Sequence, residues 1–191
     1  MSFHTVLQSI SIAAEPRDVW AALTGRDAGD QWRNAHFRTG WQTGDLIEIE
    51  AIIGPRRYRD KGQVVQVQPH ALLQYTYWSS VSGLPDRAEC YSTVTMTLES
   101  KQGDEGAETI LTVEQSVPPS SVRKGPGWEI GEESGAKHVA FYWRVTLPVL
   151  KRVVEEARGG AVIRCCWIEW IARWLAFAKG TSCKFSAYLC G

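Results

Sequence analysis

The order of its periodic segments most constrains what this chain of 191 residues can fold into. Several segments alternate apolar with polar residues, which is typical of strands with one covered face, and polar glycine-rich turns separate them. An amphipathic helical pattern then begins near Ala136. The strands are predicted over residues 46–53, 58–68, 71–79, 88–100 and 107–117. We therefore expect an α+β fold in which a curved antiparallel β-sheet is closed by one long C-terminal helix, an arrangement that tends to enclose an apolar cavity.

Two further elements are predicted before these strands. Residues 6–12 alternate and indicate a first strand. Pro16 suits the first turn of a helix, because its missing N–H is not needed there, and this short helix should end near Gly25. The segment between Gly25 and residue 45 and the segment over 118–135 show no clear period, so we expect both to be irregular. Pro148 lies inside the closing helix and should kink it.

Composition excludes several classes of function. Apolar residues make up 44% and charged residues 22% of the chain, as in soluble globular proteins. The formal net charge is zero and no basic stripe is visible, which argues against nucleic acid as a partner. Because the N-terminus shows no signal peptide, we expect a cytoplasmic protein with reduced cysteines. No Cys-x-x-Cys pair occurs, so a metal site is not expected, and no glycine-rich phosphate loop occurs, so no cofactor is expected.

The last 33 residues differ in character, and we predict two parts: a domain over 1–158 and a C-terminal extension over 159–191, helical over 161–178. The extension is rich in Trp and Cys. It could dock on this domain or on a second copy to give a homodimer, lie on a membrane surface, or be a non-native segment. Arg164, Glu169 and Arg173 interrupt its apolar run and argue against a transmembrane span.

Several short motifs, in their order and spacing, resemble those of the START/Bet v 1-like (SRPBCC) superfamily. Within it the chain is most similar to the activator of Hsp90 ATPase homologue 1-like family, over about residues 5–157. The motifs that carry the resemblance are the Ile12–Leu23 opening, Gly44-Asp45, Tyr58–Gly62, Pro69, Tyr75-Thr76, Ser82–Asp86, Thr93–Thr95, and Trp143 with Leu147–Lys151.

The resemblance implies a helix-grip fold, with the sheet wrapped around the C-terminal helix and an apolar cavity between them. Members of the superfamily bind lipids, sterols, polyketides and other hydrophobic molecules, and some are cyclases or hydrolases. The leading expectation is therefore the binding of a hydrophobic small molecule without established catalysis. A polyketide cyclase or hydrolase-like enzyme that uses the same cavity, and an Hsp90 co-chaperone-like module, are the alternatives.

Candidate site residues are mainly aromatic, because large apolar pockets are lined by such side chains. His138 and Asp60 are the candidate acid–base residues, although an exposed helix-start histidine and an aspartate paired with neighbouring arginines are the more ordinary interpretations. Tyr75 and Tyr77 share one strand face and would supply phenol groups. The predicted ligand-binding residues are Trp32, Trp41, Tyr75, Tyr77, Trp78, His138 and Tyr142.

Overall fold

A computed structural model describes residues 2–25, 28–33, 35–53, 56–103 and 106–178 of the chain. Seven of the described strands form one antiparallel sheet in the order β1-β7-β6-β5-β4-β3-β2. The strands of this sheet are β1 (His4–Ile12), β2 (Ala35–Arg38), β3 (Leu46–Ile53), β4 (Arg56–Gln68), β5 (Leu72–Trp78), β6 (Ser92–Gly103) and β7 (Gly106–Val117). The helices are α1 (Pro16–Thr24), α2 (Ala28–Arg33) and α3 (Ser134–Ala178). The α+β architecture expected from the sequence is confirmed.

One face of the sheet is buried, as the alternation predicts. In the middle of β5 and the first half of β6 every second residue is buried, including Leu73, Tyr75, Val94 and Met96, while the intervening threonines and glutamines are only partly covered. The buried residues of α1 and of the first half of α3 belong to the same hydrophobic core. The core positions on α3 are Trp143, Leu147, Leu150 and Val154.

Two hydrogen bonds of polar side chains inside this core join helices to the sheet. The Trp143 indole Nε1 donates to Gln115 Oε1 over 2.8 Å, which joins α3 to β7. The Thr109 hydroxyl donates to the Ala14 carbonyl oxygen over 2.7 Å, which fixes the chain entering α1 against β7. Both contacts hold helices to the sheet by directional bonds in addition to apolar packing.

The two segments expected to be irregular contain short elements. The stretch before residue 45 forms α2 and β2, and the stretch over 118–135 forms a small hairpin of β8 (Arg123–Gly125) and β9 (Trp128–Ile130). These elements span three to six residues each, too few to show a period. The strand predicted from residue 88 begins only at Ser92, because a short 3-10 helix, Ala88–Cys90, precedes it.

The chain separates into two compact units, Met1–Glu155 and the part from Glu156 onward. Helix α3 continues through Pro148, which is exposed, so water can reach the backbone carbonyl that loses its intrahelical partner there. Residues 159–178 are described as helical backbone only, and residues 179–191 lie outside the described part. The predictions about how the extension is used therefore stay predictions. No described helix carries an apolar stretch long enough to cross a membrane.

Candidate functional site

Three aromatic rings converge on the buried face of the sheet, and we call Phe37, Trp41 and Tyr75 the aromatic cluster. Phe37 lies on the edge strand β2, Trp41 in the turn that follows it, and Tyr75 on β5. The Phe37 and Trp41 rings stack with centroids 6.1 Å apart, and Tyr75 meets both edge-on at 6.4 and 6.0 Å. Phe37 and Trp41 are only partly buried, so this cluster has apolar surface left to cover.

The turn that carries Trp41 is held in an uncommon backbone conformation. Trp41 has a φ of 54°, in the left-handed region that costs residues other than glycine about 1–2 kcal/mol. Asp45 accepts a hydrogen bond from the Gln42 backbone N–H over 3.0 Å and so closes the turn. Such conformations persist only where the surroundings impose them, and they cluster at binding sites. The turn therefore fixes Trp41 in place beside Phe37.

Arg33, the last residue of α2, places its guanidinium among these rings. Its central carbon lies 4.4 Å from the ring centroid of Phe37, 5.8 Å from that of Trp41 and 4.3 Å from that of Trp32. The residue is only 3% exposed. Its Nη2 donates to the Leu23 carbonyl oxygen over 3.1 Å, whereas Nε and Nη1 have no hydrogen-bond partner among the described residues. The cluster thus contains a buried cation.

Two phenols share this environment. Burial raises the pKa of Tyr75, and the positive charge of Arg33 opposes that rise. Burial likewise raises the pKa of Tyr142, on α3, to about 12, again against the influence of Arg33. Both tyrosines are therefore neutral near pH 7, where their hydroxyls can donate hydrogen bonds. They bring β5 and α3 to the same site as α2 and β2.

Asp60 is engaged in a dense hydrogen-bond network beside the cluster. Its Oδ2 accepts from the Tyr77 hydroxyl over 2.6 Å and from the Ser79 hydroxyl over 3.2 Å. Its Oδ1 accepts from the backbone N–H of Ser80 over 2.7 Å and from the Ser80 hydroxyl over 2.8 Å. Four donors occupy both oxygens of this buried carboxylate. Asp60 therefore holds the end of β5 and orients Tyr77.

The remaining predicted residues occupy different places. Trp32 is buried and its indole N–H donates to the Ala22 carbonyl oxygen over 2.9 Å, so it forms one wall of the arginine site. Trp78 lies on the sheet face opposite to Tyr75 and Tyr77, where its N–H donates to the Pro85 carbonyl oxygen over 3.2 Å. The structure thus brings Trp32, Trp41, Tyr75 and Tyr142 together around Arg33 and does not bring Trp78 to them.

His138 lies on the exposed side of α3, in line with Phe141 and Val145. In the described structure no ring contact or hydrogen bond joins it to the aromatic cluster. Sequence reasoning overlooked Arg33 and Phe37. Their only local signal is the density of aromatic residues around Arg33 in a segment without periodicity. Within the described ranges, His, Cys, Asp and Glu side chains form no group of three that could hold a metal ion.

The chain matches one known protein family over most of its length. Residues 13–155 match the family model described as "Activator of Hsp90 ATPase homolog 1-like protein". This match spans most of the chain, and it includes β3–β7, the aromatic cluster and α3 as far as Glu155. A search of the curated proteins finds no match.

Solved structures share the fold. ChR145 from Cytophaga hutchinsonii has a TM-score of 0.61 at 25% identity, over 83% of this chain and 99% of that one. CalU16 from Micromonospora echinospora has a TM-score of 0.55 at 17% identity, over 83% and 85%. DynU16, a putative protein in the dynemicin biosynthetic locus, has a TM-score of 0.55 at 24% identity, over 79% and 47%.

Proposed function

Since the chain belongs to the activator of Hsp90 ATPase homolog 1-like family, we propose that it binds a hydrophobic small molecule between its sheet and its C-terminal helix. The aromatic cluster is the observation that supports this proposal most. Rings from β2, the following turn and β5 meet on the covered face of the sheet, with Tyr142 of α3 nearby. Binding sites for organic ligands combine such apolar walls with a few polar groups.

The energetics favour a flat, apolar ligand. Phe37 and Trp41 retain partial exposure, so a ligand that covers them removes apolar surface from water. Covering about 100 Å² of apolar surface contributes about 2.5 kcal/mol before the costs of association. The turn fixes the Trp41 backbone and stacking on Phe37 restrains its ring before any ligand arrives, so little side-chain entropy remains to be lost on contact.

The surroundings of the two candidate acid–base residues fit a binding protein better than an enzyme. Asp60 already accepts four hydrogen bonds, so neither of its oxygens is open to a substrate proton. His138 is exposed on the outer side of α3. One structural neighbour, DynU16, comes from a biosynthetic locus, which agrees with a small organic ligand for this fold.

A fluorescence titration with the neutral apolar dye N-phenylnaphthylamine tests the proposal through two matched tryptophan variants. Trp41 and Trp78 are both partly buried, but only Trp41 belongs to the aromatic cluster. We expect saturable binding to the unmodified protein and to Trp78→Leu, and a loss of affinity of about tenfold in Trp41→Leu. Equal binding by both variants, or no binding at all, would contradict the proposal.

A further inference from the structure

Arg33 buries a positive charge for which the described residues provide no counter-ion. A guanidinium is always charged in proteins, so this charge is permanent. Among the described residues, the bond from Nη2 to the Leu23 carbonyl is its one hydrogen bond, and no carboxylate forms an ion pair with it. Buried charges in proteins are normally paired, because leaving water costs several kcal/mol that the surroundings must offset.

The surrounding rings compensate only part of this cost. Trp32 and Phe37 lie within 4.4 Å of the guanidinium carbon, a distance that gives favourable cation–π contact. Rings stacked on the face of a guanidinium attract its charge but accept no hydrogen bonds at its edges. Most N–H donors of the side chain, those on Nε and Nη1, therefore have no acceptor in the described part of the chain.

We propose that the ligand is an acid: an apolar molecule whose carboxylate binds the buried guanidinium of Arg33 while its body lies against Trp41 and Tyr75. This inference rests on the proposed function and specifies the class of ligand. A carboxylate offers two oxygens in the plane that the guanidinium N–H groups require. The hydroxyls of Tyr75 and Tyr142 lie within the electrostatic reach of Arg33 and can donate further hydrogen bonds to the same anion.

Charge balance favours a carboxylate over a phosphate monoester. Arg33 is the one cation that the described structure places among the rings of the cluster. Lys61 is exposed, pairs with Asp86 and lies over the Trp78 ring, away from the cluster. A single negative charge neutralises a single buried positive charge, whereas a dianion would bring a second charge into the site without a partner.

A structural role for Arg33 makes a different prediction. Leu23 is near the C-terminal end of α1, where a cation is favoured by the helix dipole, so Arg33 could serve only to cap that end. Replacing Arg33 would then lower stability without changing the preference for any ligand. The preference for an acid over its neutral amide separates the two roles.

The test measures the affinity of the full chain for naphthoate and for naphthamide, its neutral amide of nearly equal shape. We expect naphthoate to bind the unmodified protein at least about tenfold more tightly, because hydrogen bonds between ionised groups are the strong ones. Arg33→Met should abolish this preference. Arg38→Met, which removes an exposed arginine at the end of β2, should retain it.

The outcomes separate the inference from the proposed function. If N-phenylnaphthylamine binds but naphthoate shows no advantage over naphthamide, the inference is wrong and the proposed function stands. An equal naphthoate preference in Arg33→Met and the unmodified protein also overturns the inference, because another group then binds the anion. If none of the three probes binds, the proposed function fails and the inference fails with it. Circular dichroism of Arg33→Met and Arg38→Met confirms that each variant is folded.

Discussion

Replacing Tyr77 by phenylalanine tests whether the Asp60 network stabilises the fold by a buried, charge-assisted hydrogen bond. The Tyr77 hydroxyl donates to Asp60 Oδ2 over 2.6 Å, and Asp60 is only 7% exposed. A hydrogen bond to a buried charged group contributes about 1.5–3 kcal/mol, and its removal leaves a carboxylate oxygen less well satisfied. We therefore expect Tyr77→Phe to lower the free energy of unfolding by about 2 kcal/mol.

The chain provides a matched control in Tyr91→Phe. The Tyr91 hydroxyl donates to Asp86 Oδ1 over 2.7 Å, nearly the same distance, but the Asp86 side chain is 45% exposed. Water and salt screen an exposed charge contact, so this substitution should cost clearly less than Tyr77→Phe. Urea denaturation of the two variants beside the unmodified protein gives both values. Equal costs for the two substitutions would refute the assignment of a stabilising role to burial of the Asp60 network.

Three further predictions follow from single contacts. Burial and the Asp60 carboxylate raise the pKa of Tyr77 in the folded protein. The stabilising effect of the Tyr77 hydroxyl is therefore complete below about pH 10, the ordinary pKa of tyrosine, and is lost as the pH rises further. In urea titrations, the stability difference between the unmodified protein and Tyr77→Phe should shrink above about pH 10. Gly62→Ala places a Cβ 1.9 Å from the Thr76 carbonyl oxygen on the adjacent strand and should lower the free energy of unfolding by about 3 kcal/mol or more. Gly83→Ala meets only open space at a φ of 73° and should lower it by about 1 kcal/mol. Arg33→Met should raise the free energy of unfolding of the ligand-free protein by about 1 kcal/mol, because it removes a buried charge that has no ion-pair partner among the described residues. A loss of stability in thermal denaturation would instead indicate a structural role for Arg33.

Strand periodicity made most of the sheet predictable. The bounds of β3 agree with the expectation for residues 46–53, because Ile47 and Ile49, buried on the covered face, alternate with Glu48 and Glu50. The same alternation joins Tyr75 and Tyr77 on one face and places Trp78 on the other, so it already separates Trp78 from the two tyrosines. The short edge strand β2 was not predicted because it has no sequence pattern of its own. Only its pairing with β3 defines it as a strand.

The arginine at the centre of the site could not be predicted from local sequence. Arginine is among the residues most often exposed, so a pattern-based interpretation assigns Arg33 to the surface. Its burial arises because α2, β2 and the turn at Trp41 fold together and bring Trp32, Phe37 and Trp41 around one side chain. Residues close in sequence provide those rings, but only the tertiary fold places Tyr75 and Tyr142 beside them.

Native mass spectrometry of the full-length protein, as purified, tests the central claim most directly. The account predicts a non-covalent adduct that is released on denaturation and whose mass and negative-ion spectrum are those of a small apolar carboxylic acid. Trp78→Leu should keep this adduct, and both Trp41→Leu and Arg33→Met should lose it. If the folded protein carries no adduct and gains none when naphthoate is added, it does not bind an apolar acid at the aromatic cluster, and the account is contradicted.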